Sequence, residues 1–499
     1  MLKYTIRSKA ELPPCAKPWT PHEYQVLGME FLLQNSGAGL FLDPGLGKTS
    51  TTLGALRILF KEKQIRRALI VAPLRVAQLV WPAEVQKWAD FNHLRVVVLH
   101  GPEKNKRIRQ DADIYVINPE GLGWLMAGGR FKQVGADVLV IDESSKFKNM
   151  QTARYKTLKP VLPKFKRRWI LTGTPAPNGL LDLFGQVYVM DLGRALGPYI
   201  SHYRAMYFSP GAAFNRTFTG ADGKEVTKKI TVGWSLNPGC DTLIYEKLAP
   251  YIMRMDAKDY IKVPEIVEAD IWVNMPDSAH EIYKQIEDEM VAMIDGNLVT
   301  AVSAASVSVK CRQIASGGLY KQYEIDELDR PRNREVIQIH DEKTAALLDL
   351  VDELQGAPLL VAYEFEHDLQ RLRKAFGADL PVIGGGTKEK EAQRIQDDWN
   401  AGRIPVLAGH PLAMGHGLNL QGVSRFVAWY TPTWNAELYD QFNKRVARQG
   451  NNHESVIVYR LLTRGTVDRA VVAACGSKIR TQNALLNALR DYTTEHHCR

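Results

Sequence analysis

Apolar residues in the first third of the chain fall in short unbroken runs, at 40–42, 68–72, 95–99, 114–117, 138–141 and 169–171. Each run is too short for a helix and continuous rather than alternating. Such runs predict strands covered on both faces, as in a parallel sheet flanked by helices. The stretches between them, 52–60 and 76–88, carry helical spacing. Upstream, Thr20 and Pro21 predict a capped helix start, with Val26, Leu27, Met29, Phe31 and Leu32 as its buried face. A second alternating block follows from 347. Its strands fall at 358–363, 382–383, 404–408, 425–430 and 455–460, and its helices at 347–354, 367–376, 389–399 and 436–447. Residues 467–489 predict a helix pair or one long helix. Between about 190 and 335 the rhythm is lost. Residues 199–234 read as an irregular excursion with a hairpin near Gly220 to Gly223, and 278–313 as one or two helices. The expectation is an α/β protein divided as 1–190, 191–340, 341–470 and 471–499.

Composition narrows the class. The 499 residues carry a formal charge of +9 and a pI near 9.1, which favours a polyanionic partner. No apolar run approaches the roughly 20 residues of a membrane span. Residues 1–7 lack the apolar segment of a signal peptide. The five cysteines are scattered and odd in number, and no C-x-x-C occurs. That pattern supports neither a disulfide framework nor a zinc module, and it fits a reducing cytosol.

Three stretches carry chemistry. Residues 40–50 run from an apolar strand through Asp43, Pro44, Gly45 and Gly47 to Lys48 and Thr49, then into a helix. A glycine-rich turn at a helix N-terminus lets backbone N–H groups approach phosphate oxygens. The lysine adds a point charge, and the threonine hydroxyl can hold Mg²⁺. The pattern G-x-x-x-x-G-K-[ST] would place glycine at 42, where Leu42 stands. The second stretch ends a strand with Asp142-Glu143. Beside a phosphate loop, one carboxylate can hold the metal and the next can orient or polarise the attacking water. In the third, Arg445 and Arg448 lie three apart and would share a face if helical. Two guanidiniums there could reach a γ-phosphate, although from spacing alone a solvated basic helix face is the better reading.

Together these stretches resemble helicase superfamily two, and within it the SWI/SNF-like double-stranded DNA translocases. Tyr24-Gln25 is similar to the glutamine motif. Asp43-Pro-Gly-Leu-Gly-Lys-Thr49 resembles motif I, and Val71-Ala-Pro-Leu74 with Trp81 resembles motif Ia. Asp142-Glu143-Ser144-Ser145 resembles motif II, with Ser145 where the family carries histidine. Leu171-Thr-Gly-Thr-Pro175 resembles motif III, and Lys310-Cys-Arg-Gln-Ile314 the helix between the lobes. Residues 359–372, 414–421 and 441–450 resemble motifs IV, V and VI.

The resemblance implies two RecA-like parallel-sheet lobes with an ATP cleft between them and a mainly helical insertion. It implies ATP and Mg²⁺ as cofactors, with Lys48 on the β/γ-phosphates, Thr49 and Asp142 on the metal, and Glu143 as base or water-orienter. Gln25 would read adenine, Gly45 and Gly47 would shape the loop, and Gln441, Arg445 and Arg448 would complete the site. Thr172, Thr174 and Gly417 would couple hydrolysis to movement. Arg75, Asn118, Lys146, Thr387 and Asn419 would contact nucleic-acid backbone, supplemented by Lys148, Lys164, Lys166, Arg167 and Arg168. The implied partner is double-stranded DNA, bound with little sequence specificity and strong salt dependence. A monomer is expected, with no membrane association, in the cytoplasm of a bacterial or phage-infected cell. The expected activity is DNA-dependent ATP hydrolysis driving translocation. The alternatives are a strand-separating or branch-remodelling helicase on DNA or RNA, with 209–234 as its wedge, and an inactive nucleic-acid clamp.

Overall fold

The computed structural model describes residues 17–497, apart from 212, 220–224, 232, 290, 295–296, 301–303, 322–334 and 415–417. Gly417 and the turn expected at 220–223 lie outside the described residues. The chain forms two units. One runs through Tyr260 and takes up the chain again from Arg480; the other is Ile261–Ile479.

The first unit is built on a seven-stranded sheet in the order Ile252–Met255, Gly37–Leu42, Arg167–Thr172, Val138–Asp142, Ala68–Val71, Ile114–Ile117, Val96–Val98. Every neighbouring pair is parallel. The central strands are buried along nearly their whole length, and only the edge strand Val96–Val98 is half-exposed. This is what unbroken apolar runs demand, since alternation would leave one face wet. Register then places the chemistry. Phe41 lies opposite Thr172, and Leu171 opposite Asp142. The phosphate loop, the acidic pair and Thr172 therefore leave the sheet from neighbouring strand ends, where parallel sheets bind ligands. Leu485, Leu486 and Leu489 of the C-terminal helix are buried in the same apolar core as Phe41, Val71 and Ile170.

The second unit holds six parallel strands in the order Glu265–Val273, Ser455–Thr463, Phe426–Trp429, Leu359–Ala362, Val406–Gly409, Val382–Ile383. Alternate residues feed two cores: Leu360 and Ala362 face one, Leu359 and Val361 the other. A single helix covers Asp468–His497. Among the described residues no helix is long and apolar enough to cross a membrane.

The middle of the chain differs from expectation. Residues 191–340 form no body of their own, because the division falls at Tyr260. Nor is the stretch mainly helical. Ile200–Tyr207 and Cys240–Leu248 are helices, but between them Phe208–Pro210 pairs with Trp234–Leu236 and Ala213–Thr219 with Glu225–Thr231. Ile252–Met255 then joins the first sheet and Glu265–Val273 the second. The helices Asp277–Lys284 and Ala304–Ala315 are separated by another hairpin, Val291–Ile294 with Asn297–Thr300. Both joining strands are edge strands. One is very short and interrupted by Arg254, and the other carries Glu265, Glu268 and Asp270, so neither shows the apolar run of a central strand.

Candidate active site

The strand Gly37–Leu42 opens into the phosphate loop, and the helix Lys48–Lys61 begins directly after Gly47. Gly45 and Gly47 take positive φ, 95° and 70°. At Gly47 a side chain is excluded twice over, because a Cβ would come within 2.4 Å of Gln25 Nε2. Gln25 is the third residue of the helix Glu23–Gln34, which starts after His22 rather than after Thr20. Its Oε1 accepts the His22 N–H at 3.0 Å, and its Nε2 donates to Ser50 Oγ at 3.4 Å. Ser50 in turn donates to the Gly47 carbonyl at 3.0 Å. The glutamine motif thus rests on the phosphate loop itself.

Lys48 Nζ donates to the Leu42 carbonyl at 2.7 Å and lies near that of Asp43 at 3.4 Å. Burial lowers its pKa, opposed by the charges of Glu143, Asp142 and Asp43. Thr49 follows on the first turn of the helix, half-buried. Beneath the loop lies a group with no counterpart in the sequence reading. Buried Arg254 donates to the Phe41 carbonyl and to Asp43 Oδ1, both at 2.9 Å, and pairs with Asp256. Asp43 Oδ2 accepts the Ala257 N–H at 3.0 Å, and Arg490 reaches Asp256 Oδ2 at 2.9 Å. Nothing in the spacing of residues two hundred apart announces such a set.

Asp142 ends its strand with Oδ2 accepting the indole N–H of fully buried Trp81 at 2.9 Å. Burial, together with the charge of Glu143, raises its pKa to about 6. A hard divalent cation suits this environment, since it would compensate two neighbouring carboxylates in a poorly solvated corner. Asp142 and Thr49 are the residues that would hold Mg²⁺. Glu143 has left-handed backbone, φ 60° and ψ 64°, a conformation uncommon outside glycine that turns the chain sharply off the strand. Its Oε1 accepts from Ser145 Oγ at 3.2 Å and from Thr172 Oγ1 at 3.0 Å. Thr172 Oγ1 accepts the Thr174 N–H at 3.0 Å. Ser145, standing where the family carries histidine, therefore turns back to Glu143. A second bridge runs through Gln186, which accepts from Ser144 Oγ at 2.7 Å and donates to the Pro175 carbonyl at 2.6 Å. Gln186 was missed in the sequence; a fully buried glutamine becomes informative only once its partners are known.

In the second unit the expected helix 436–447 is shorter, Ala436–Asn443, so Arg445 and Arg448 do not share a helical face. Past Asn443, whose side chain accepts from Trp429 Nε1, the backbone hydrogen bonds tighten and the helix stops. The two side chains nevertheless converge. Arg445 Nη1 donates to the Leu418 carbonyl at 3.1 Å and Arg448 Nη1 to Asn419 Oδ1. Gln441 is buried, and its Oε1 has no hydrogen-bond partner among the described residues.

The backbone-contact candidates scatter. Arg75 and Lys146 are half-buried and Asn419 is exposed. Asn118 is buried with its amide on Glu120 at 2.9 Å. Thr387 closes its own turn, accepting from the Gly384 N–H and donating to the Val382 carbonyl. Two supplementary cations are otherwise engaged. Arg167 donates to the Leu33 carbonyl at 2.8 Å, and buried Arg168 to that of Phe165 at 2.6 Å. They cap the first unit's own backbone.

The SNF2-related domain family matches residues 24–316, more than half of the chain. This chain belongs to that family. The helicase conserved C-terminal domain matches residues 342–450. As an SNF2-family protein the chain is a helicase-like ATP hydrolase. A putative protein p41 from Acyrthosiphon pisum secondary endosymbiont phage 1 is 31% identical over 488 residues, covering 95% of this chain and 99% of that one. The CHD3-type chromatin-remodeling factor CHR7 of Arabidopsis thaliana is 25% identical over 94% of this chain, which spans 38% of that factor's length. A solved Sulfolobus solfataricus SWI2/SNF2 ATPase core in complex with double-stranded DNA aligns over 97% of each chain, at 22% identity and a TM-score of 0.41.

Proposed function

We propose that this SNF2-family ATPase is a motor that moves along double-stranded DNA, with hydrolysis of ATP stimulated by the DNA backbone. The observation that carries the reading is the chain of hydrogen bonds from Glu143 through Thr172 to Thr174. It makes the carboxylate that would activate water answer to a segment whose movement is the output of such a motor. Lys48 and the loop amides bind the phosphates, Thr49 and Asp142 hold Mg²⁺, and Glu143 takes a proton from the attacking water. When bound, the metal neutralises phosphate charge. Arg445 and Arg448 supply positive charge to the transition state, and Gln441 offers its free carbonyl oxygen to the nucleotide.

The test is ATP hydrolysis measured without nucleic acid and with single-stranded DNA, duplex DNA, a fork or RNA. Duplex DNA is expected to stimulate most; absence of any stimulation would sink the motor reading. Glu143→Gln is expected to bind ATP normally and to lose at least about a hundredfold in turnover. A triplex-displacement assay then separates translocation from unwinding. The paired strands Ala213–Thr219 and Glu225–Thr231 favour one second reading, a strand-separating helicase with this hairpin as wedge. Shortening the hairpin would abolish unwinding and spare triplex displacement.

A further inference from the structure

The first unit carries an open groove of about 600 Å³ that the hydrolysis site does not use. It lies between the segment after the acidic pair, the helix Ala153–Leu158 and the helix Ile200–Tyr207. Four cations line it, Lys148, Lys156, Lys159 and Arg204, against one carboxylate, Asp182. Lys156 and Lys159 are exposed and three residues apart. Lys159 sits over the Tyr188 ring at 5.0 Å and Arg204 over the Trp234 ring at 5.2 Å, so both heads are held in place. Two polar groups in the groove wall are buried without a hydrogen-bond partner among the described residues: the hydroxyl of Tyr155, itself 1% exposed, and Nε of Arg204. Burial and the neighbouring Tyr188 and Asp191 hold that hydroxyl protonated.

The groove is wired to the acidic pair. Lys148 Nζ lies 3.6 Å from Asp182 Oδ2. The Asp182 carbonyl accepts from Gln186 Nε2 at 2.9 Å, and Gln186 Oε1 accepts from Ser144, the residue after Glu143. The helix Leu183–Asp191 lies tight against the same segment, since a Cβ at Gly185 would meet the Phe147 carbonyl at 2.5 Å.

We propose that this groove docks the phosphate backbone of a nucleic acid, and that its occupancy raises turnover by drawing Lys148 away from Asp182. The inference rests on the reading of the chain as a nucleic-acid-stimulated ATPase. Lysine, arginine, tyrosine hydroxyl and asparagine are the donors that phosphate oxygens collect. Rigid cations over aromatic rings, with protonated donors between them, suit a repeating phosphate better than the flexible carboxylates of an acidic peptide. None of Arg75, Asn118 or Lys146 lines the groove, so it adds a contact beyond the strand-end positions.

The experiment uses the full chain and the exposed pair, K156E/K159E. Its basal ATPase and its thermal unfolding are expected to match the parent. The duplex concentration for half-maximal stimulation should rise at least about tenfold, and the slope of log affinity against log salt should fall by about two, one for each lost phosphate contact. K156R/K159R should restore both. Asp182→Asn should bind duplex normally while its maximal stimulation drops. If the parent is stimulated and K156E/K159E keeps its half-stimulation and salt slope, the groove proposal is overturned and the motor reading stands. If no nucleic acid stimulates the parent, the underlying reading fails and takes the proposal with it. If poly-glutamate competes with duplex as well as poly-phosphate does, the groove is a site for acidic peptides and the proposal is wrong.

Discussion

The two lobes hold their candidate chemistry in opposite ways. In the first, the acidic groups are held by donors that belong to other residues: Asp142 by Trp81, Glu143 by Thr172, Asp43 by Arg254. In the second, Arg445 and Arg448 are themselves the donors, and they point at residues 418 and 419 of their own lobe. Carboxylates held this way are ready before any ligand arrives. On the proposed reading, the arginines would exchange a carbonyl and an amide oxygen for phosphate oxygens. A phosphate oxygen adds an anionic acceptor, and frequently a bidentate one, to a donor that is already charged, so that exchange would favour the nucleotide. The difference teaches that the first unit's carboxylates are fixed by donors from elsewhere in their unit, whereas the second unit's arginines are tied to its own backbone and amide oxygens.

The largest expected effect tests the arginines. If they act as arginine fingers, Arg445→Ala or Arg448→Ala should lower kcat by about a thousandfold, with a much smaller change in nucleotide affinity. Single-turnover hydrolysis beside fluorescent-nucleotide binding would reveal it. A loss under tenfold would mean that these residues only hold the turn they touch. Trp81→Phe keeps an aromatic ring, loses the indole's second ring and removes one hydrogen bond to a charged group. A rise of about tenfold in the Mg²⁺ concentration for half-maximal activity is expected, beside a lowered thermal unfolding temperature from the cavity left by the smaller ring. Equal Mg²⁺ titrations would show that Asp142 does not depend on that donor. Asn419→Ala removes the oxygen that holds Arg448, and basal turnover should rise by a factor of about three, since Asn419 is exposed and water replaces much of the lost bond. A fall instead would mean that Asn419 orients the arginine for catalysis.

How much of this was legible beforehand depends on how local the cause was. The unbroken apolar runs at 68–72, 114–117 and 138–141 announced the first sheet, because burial on both faces leaves no other pattern. Lys48, Asp142 and Glu143 were legible because strand-end chemistry is written in consecutive residues. Arg254, Asp256 and Gln186 were not, because their significance lies in partners far away in sequence. The helix Ala436–Asn443 stops short of Arg445 with no glycine or proline to mark the end before Gly450, because that end is made by tertiary contacts at Asn443. The strand Ile252–Met255 is fully buried yet shows no apolar run, because Arg254 interrupts it to hold Phe41 and Asp43, partners two hundred residues away.

The contrast between lobes extends to acid, where the smallest effect on turnover is expected. His340 of the second lobe hydrogen-bonds the Ile314 carbonyl at 2.9 Å, and burial lowers its pKa from 6.5 to about 4. The unfolded chain therefore takes up a proton between those values while the folded chain does not. Stability is complete above pH 6.5 and falls as pH drops toward 4, by up to about 3 kcal/mol. His340→Gln should flatten this part of the profile in denaturant titrations at pH 7 and pH 4.5. Parallel losses in parent and variant would assign the acid sensitivity elsewhere.

The support beneath the phosphate loop has a consequence for the order of synthesis. Asp43, Arg254 and Asp256 leave the ribosome well before Arg490, and the core around Phe41 waits for Leu485, Leu486 and Leu489. A nascent chain that has already made its phosphate loop and acidic pair still lacks the helix segment that closes their lobe. The lobe that carries the phosphate loop is thereby completed only once the segment from Leu485 to Arg490 has been made, and a chain cut before it would keep the loop without its support.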